Sequence, residues 1–366
     1  MIDSIDFERA REPGRGREAA RPAAIPLEGW KDIGWRLFWS VLENRVMLNA
    51  AGVTYYSLLA MVPTLNCFVV LYGLFNSPAQ VVDQVDLLSG ILPEGGLDIL
   101  REQLVRLTSE DHGTLSLTFL VSLVIALWSA GAGFRALFEA MNAAYKENEK
   151  RNIIEVNLLA LGFTVAGTVA AIIVITTVVV IPPVLRAFAF GGSVDWLVRA
   201  ASYAAMLAVL VIGLAALYRL GPSRQDARWR WIAPGNLIAI VGVVVVSLVF
   251  SWYAANLADF GATYGSLGAL VGFLTWVWLS VTMVILGAAL NAETEHQTAR
   301  DTTTGPELPM GARGAHVADT VAPARPGARH VARPHRPILG GWVLLLPLVA
   351  LAAAVAEVRH RRGEGE

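Results

Sequence analysis

The chain has 366 residues, 55% of them hydrophobic and only 16% charged, with 29 Lys and Arg against 30 Asp and Glu. A typical soluble domain is roughly 25% charged, and the near-zero net charge here removes the global basicity of a nucleic-acid binder. The single cysteine, Cys67, excludes an intrachain disulfide and a cysteine-based zinc site.

The first 29 residues are polar and carry Arg9, Arg11, Arg15, Arg17 and Arg21. They lack an apolar h-region, so they do not read as a cleaved secretory signal; composition predicts a disordered cytoplasmic arm. Over 30–48, Trp30, Ile33, Leu37, Phe38, Val41, Leu42 and Val46 recur at helical spacing. Lys31, Asp32, Arg36 and Glu43 fall largely elsewhere on the wheel. This predicts an amphipathic helix, lying either in the membrane interface or on the protein's own cytoplasmic face.

Beyond it the charges cluster and the gaps are long. Residues 46–82, 113–134, 156–185, 200–218, 231–258, 260–292 and 337–356 contain no Asp, Glu, Lys or Arg. About 20 apolar residues cross a hydrocarbon core as a helix, and the bilayer forces backbone groups to bond within their own segment. The fold class is therefore all-α, a polytopic membrane helix bundle. Its six core spans are predicted at about 50–75, 114–134, 157–185, 200–218, 231–253 and 267–290. A seventh is expected at 340–356, although Pro347 stands near its centre. Pro63 implies a kink in the first span, and Pro182-Pro183 an end to the third.

Connections alternate in basic residues. The N-terminal segment and residues 135–156, 219–230 and 291–337 hold eight, four, four and six Lys or Arg, whereas 76–113, 186–199 and 254–266 hold two, two and none. The positive-inside rule then puts the N-terminus and residue 300 in the cytoplasm. A crossing at 340–356 would carry Arg359, Arg361 and Arg362 outward, against that bias. Two short helices are expected in the first external loop, around 81–92 and 97–107. Residues 297–337, rich in Pro, Gly, Ala and Thr, predict a disordered linker between the 30–296 membrane domain and the C-terminal segment 338–366.

No Walker A pattern, HExxH or GxSxG elbow occurs, and the six histidines lie on loops and tails. This predicts a non-enzyme without metal or cofactor. The polar residues inside spans are few. Tyr55, Tyr56, Pro63 and Asn66 in the first are candidates for a substrate path, with interhelical bonding the alternative use of Asn66. Gly131 and Gly133 in the second, and Gly268 and Gly272 in the sixth, suit close helix packing. Trp276 and Trp278 face different sides of the sixth span, so one is expected to meet lipid. The second span runs on into a helix where Arg135 and Glu139 can pair at i,i+4. Arg135, Glu139, Asn142, Tyr145 and Glu293 form a candidate cluster at the cytoplasmic end.

Four stretches together resemble the YihY/BrkB family of bacterial inner-membrane proteins: NAAGVTYYSLLAMVPTL, GFRALFEAMNAAY, LYRLGPSR followed by WIAPGN, and YGSLGALVGFLTWVWLSVTMVILGAALNAE. The resemblance covers about residues 30–296. It implies a six-helix inner-membrane fold with roles in transport or envelope integrity, including lipid-like substrates. The label ribonuclease BN, often attached to the family, is generally regarded as misassigned, and the absence of hydrolase motifs agrees. Where the family commonly has Glu in a GAELNAE-like segment, this chain has Ala289, with Glu293 nearby. Two functions stay open: a transporter or lipid-handling permease, and a non-transporting envelope scaffold. The expected partners are membrane lipids and no nucleic acid, with a homo-oligomer as an open alternative.

Overall fold

The computed structural model describes residues 4–75, 112–175, 177, 192–256 and 267–325. Their secondary structure is helical apart from one isolated antiparallel bridge, Ala227 to Thr303. A short α1 (Ser4–Ala10) and α2 (Leu27–Glu43) precede six long helices. These are α3 (Val46–Phe75), α4 (His112–Tyr145), α5 (Ile153–Ile175), α6 (Gly192–Leu220), α7 (Trp229–Asn256) and α8 (Gly268–Glu295). A four-residue α9 (His316–Asp319) follows. Among the described residues, four stretches are long and apolar enough to cross a membrane: Ile153–Ala170, Trp196–Leu220, Trp229–Ala254 and Leu270–Glu295. The helices expected at 81–92 and 97–107, the end of the third span at Pro182-Pro183 and the seventh span at 340–356 lie outside the described residues.

Local chemistry sets the helix ends. Asn44 and Arg45 separate α2 from α3; Arg45 takes a left-handed φ of 50° and Asn44 Nδ2 donates to Ser40 Oγ at 2.8 Å. At the end of α4, Lys146 has φ 56°, the Lys146 N–H reaches the Ala143 carbonyl, and the Glu147 N–H reaches the Asn142 carbonyl at 2.8 Å. That is a Schellman closure with lysine in the place usually given to glycine. Helix α5 opens on a capping box: the Glu155 N–H donates to Asn152 Oδ1 and the Asn152 N–H to Glu155 Oε2. Inside the apolar stretches, Thr54, Ser57, Thr164, Thr168, Thr275 and Thr282 each donate to the carbonyl four residues back. Their hydroxyl protons are thereby satisfied within one helix.

Helix α3 packs on α4 and α8, α7 on α8, and α6 bridges α5 and α7. The buried core gathers at one end of the bundle. There Val46, Ala50 and Val53 of α3 meet Phe138, Met141 and Tyr145 of α4, and Ile285, Ala288, Ala289 and Ala292 of α8. Phe134, Phe138 and Phe163 stack with centroids 5.6–6.5 Å apart. Elsewhere the long helices leave apolar side chains open, including Leu207, Ile212, Val244 and Leu248.

Two expectations are corrected. Residues 4–29 and 297–325, which composition assigns to a disordered arm and linker, form a folded cap over the core end. The Ala299 N–H reaches the Arg17 carbonyl at 2.7 Å and the Ala322 N–H the His296 carbonyl at 2.9 Å. The Arg228 and Thr304 N–H groups pair with the Thr302 and Asp226 carbonyls, laying the segment after α8 along the 225–228 connection. Composition misleads because arginines satisfy the backbone where apolar residues are few. Arg313 alone donates to the Leu308, Ala318 and Ala299 carbonyls. Helix α2 also turns differently from its apolar wheel. Asp32 is fully buried against Arg15 at 2.6 Å, while Phe38 is 54% exposed. On α8, Trp276 and Trp278 are both half-buried, and their indole N–H groups donate to Ser247 Oγ and the Met47 carbonyl.

Candidate functional site

The cap end holds most of the buried polar chemistry among the described residues. Glu293, Glu295, Gln297 and Thr298 follow one another out of α8 and are all under 5% exposed. They are reached by arginines from distant segments. Arg36 of α2 donates to Glu293 Oε2 at 2.6 Å, to Gln297 Oε1 at 2.7 Å and to the Pro323 carbonyl at 3.0 Å. Arg17 donates to Glu12, to the Gln297 carbonyl and to the Ala322 carbonyl. Burial pulls the Arg17 pKa below its ordinary value, opposed by the bond to Glu12.

A second knot lies between α4 and the 221–228 connection. Asn142 accepts the Ser223 N–H at 2.7 Å and donates to Glu149 at 3.0 Å. Arg151 chelates the Glu149 carboxylate and holds it down to a pKa of about 2, with burial working against the shift. Arg151 also donates to the Leu220 and Gly221 carbonyls, closing the end of α6. Arg224 and Glu295 form a buried pair at 2.7 Å, and the Arg224 guanidinium lies 4.7 Å from the Tyr145 ring centroid. Burial raises the pKa of the Tyr145 phenol, so it stays protonated. Burial likewise lowers that of His296, whose Nε2 sits 2.9 Å from Thr320 Oγ1.

A cavity of about 390 Å³ opens beside this knot. Lys150, Arg151 and Arg224 line it together with Leu159, Leu220 and Pro222. Among the described residues no group of three or more His, Cys, Asp or Glu is placed to hold a metal ion.

The structure brings some of the sequence-derived candidates together and separates others. Asn142 and Tyr145 belong to the second knot, and Glu293 to the Arg36 knot. Arg135 does not pair with Glu139; it donates to Asn157 Oδ1 at 2.9 Å and stacks on Trp128, while Glu139 is exposed. Tyr55 and Tyr56 are both exposed, with rings 5.9 Å apart. Pro63 and Asn66 lie within α3, but their side chains fall outside the described residues. A Cβ on Gly131 would meet Arg135 Nη1 at 3.3 Å and the Ala160 Cβ of α5 at 4.0 Å, and one on Gly133 the Tyr56 Cβ of α3 at 3.9 Å. Gly268 and Gly272 are buried.

The tightest glycine approach among the described residues involves different positions. A Cβ on Gly235 would strike the Gly287 carbonyl and Asn291, and one on Gly287 would strike the Tyr218 hydroxyl. Helices α7 and α8 therefore touch backbone to backbone. The signal was present in APGN and in the small-residue run GAAL, although neither forms a GxxxG pair. Arg17, Arg36, Arg224, Asn291, Glu295 and Thr302 were also missed. Their partners are 71 to 305 residues away in several cases, and no spacing rule reaches that far. Ala289, at the position of the missing family acid, is fully buried in the apolar core, and Arg36 finds its carboxylate one turn on at Glu293.

Among known proteins, the ribonuclease-like protein YfkH of Bacillus subtilis (strain 168) is 28% identical over 248 residues, 67% of this chain and 88% of that protein. A UPF0761 membrane protein of Xanthomonas campestris pv. campestris (strain B100) is 28% identical over 264 residues, 70% of this chain. One from Xanthomonas axonopodis pv. citri (strain 306) matches at the same level. The matched region spans 58% of the length of these Xanthomonas relatives. No solved structure matches. The family model described as virulence factor BrkB matches residues 37–310, from α2 through all the described spans and into the cap. With its long apolar helices, the chain is a multi-pass membrane protein and belongs to the virulence factor BrkB (YihY/BrkB) family.

Proposed function

We propose that the chain is a permease of the cytoplasmic (inner) membrane that handles lipid-like, amphipathic substrates for the cell envelope. In this reading six helices cross the bilayer, 340–356 adds a seventh, and the capped end with the N-terminus lies in the cytoplasm. The excess of Lys and Arg in the connections at that end supports the orientation. The chain performs no enzymatic reaction, needs no cofactor and binds no nucleic acid.

The observation that carries the proposal is the cavity beside Arg151. Its walls set three cations, Lys150, Arg151 and Arg224, against one acid, Asp226, beside Leu159, Leu220 and Pro222, where α5 and α6 leave the apolar zone. An anionic headgroup and the start of an acyl chain match that lining, and about 390 Å³ lies in the range of ordinary ligand sites. The test is transbilayer movement of a fluorescent anionic phospholipid in proteoliposomes. Movement above protein-free vesicles is expected, with a reduction in Leu159→Trp, which fills the cavity. Rates equal to protein-free vesicles would overturn the reading.

A second reading, a non-transporting scaffold, is favoured by the cap itself, a built surface at the end of the bundle. Deleting residues 4–25 should then abolish function while Leu159→Trp leaves it intact. The open apolar faces of α6 and α7 suit either lipid or a second copy of the chain, which cross-linking in membranes distinguishes.

A further inference from the structure

Beneath the cap, polar groups from three segments converge without satisfying one another. Tyr145 ends α4, Asn291 and Glu295 stand one helical turn apart on α8, and Arg224 comes from the 221–228 connection. Arg224 Nη2 donates to Glu295 Oε2 at 2.7 Å, and the Thr302 hydroxyl donates to the same oxygen at 2.9 Å. Asn291 commits its Oδ1 to the Gly235 N–H at 2.7 Å, which fixes the amide orientation. The Tyr145 hydroxyl borders Asn291 without forming a well-aligned bond. Tyr145 Oη, Arg224 Nη1, Asn291 Nδ2 and Glu295 Oε1 are thus fully buried and have no hydrogen-bond partner. Native interiors leave few such atoms, and those that cluster are satisfied by internal solvent.

We propose that these four atoms bind a single internal water molecule. Their chemistry selects it. Arg224 Nη1 and Asn291 Nδ2 can only donate, Glu295 Oε1 as a carboxylate oxygen can only accept, and the Tyr145 hydroxyl can do either. Water accepts two hydrogen bonds and donates two, so it completes the set. A halide or phosphate would face the carboxylate oxygen. An ammonium or metal cation would face the guanidinium and the amide N–H groups. The water is distinct from any transported substrate, although Arg224 also lines the cavity beside Arg151. It joins α4, α8 and the 221–228 connection, and through Thr302 it fastens the segment after α8 to the bundle.

The test is a density map of the full chain in lipid nanodiscs, at a resolution that shows ordered solvent. The expected result is one peak at about 2.6–3.2 Å from all four atoms. Four atoms rearranged into direct bonds with no peak, or bromide occupying the site after soaking, would overturn the proposal. A second measurement uses Tyr145→Phe, which keeps the ring against Arg224 and removes one partner of the water. Tryptic cleavage within 300–325 should accelerate by up to about tenfold, the factor that one buried hydrogen bond carries. Cleavage at the parent rate would remove the fastening role.

Discussion

At the capped end, charged side chains are buried in pairs and the backbone is held by arginines; along the middle of the spans, charges are absent and most hydroxyls bond to their own helix. Arg224 and Glu295 are almost wholly withdrawn from solvent, with side chains 2% and 0% exposed. Leu248, on a span, is 67% exposed. The two regions solve the same problem, unsatisfied polar groups, with different means. The cap satisfies them with partners far away in sequence. The spans satisfy most of their hydroxyls within four residues, because hydrocarbon offers no other partner, and pass the rest between helices, as Trp276 does to Ser247 Oγ and the Tyr218 hydroxyl to the Val284 carbonyl. Specificity of the cap therefore depends on individual side chains, and that of the spans on shape.

The sharpest way to break the contrast is to remove one member of the buried pair. Arg224→Leu strands the Glu295 carboxylate, and unfolding in detergent should show a loss of about 3–5 kcal/mol. The double variant Arg224→Leu/Glu295→Met should recover much of it, since no charge is then left alone. A loss confined to the double variant would contradict this account of the cap.

The span counterpart is steric. Gly287→Ala places a methyl group against the Tyr218 hydroxyl and the Gly235 backbone and should cost about 1–3 kcal/mol. Gly213→Ala, where a Cβ meets nothing within 4 Å, should be neutral or stabilising in the same assay.

The cap alone should respond to mild acid. His296 is held neutral by burial, so its folded pKa lies well below 6.5. Stability from the neutral ring is full above the unfolded value and falls as pH drops below about 6.5, by at most about 1.4 kcal/mol per pH unit. Replacement by Gln should flatten that slope. Glu149 acts lower and more weakly. Its stabilisation by Arg151 is present above pH 4.5 and is lost as pH falls toward 2. The carboxylate is 32% exposed, so screening keeps the effect under about 1 kcal/mol, read as the difference between the chain and Glu149→Gln. Smallest of all, Leu248→Ile should change stability by less than about 0.5 kcal/mol. A larger loss would place a second copy of the chain, rather than lipid, on that face.

The helices were legible because the bilayer simplifies the code. A run such as LAVLVIGLAAL admits one structure in hydrocarbon, and α6 forms there from Gly192 to Leu220. The candidate site was legible only in part. Asn142 and Tyr145 stood out because they extend a span into water. Arg135 misled because i,i+4 spacing permits a pair with Glu139 without requiring it, and Asn157 of α5 offered a closer acceptor. Composition makes the segment after α8 resemble a linker because Pro, Gly, Ala and Thr give little apolar area to bury. Its order rests instead on Arg17, Arg36 and Arg313 donating to carbonyls.

By itself the sequence determined the class of solvent in which each segment sits, since transfer free energy accumulates along a contiguous run and needs no partner. It also carried the family resemblance. Only the tertiary structure decided which charges could be buried, which glycines meet and which polar atoms are left facing one another. Those outcomes depend on distances between segments remote in the chain, and a hydrogen bond or a steric contact is set at the scale of tenths of an ångström.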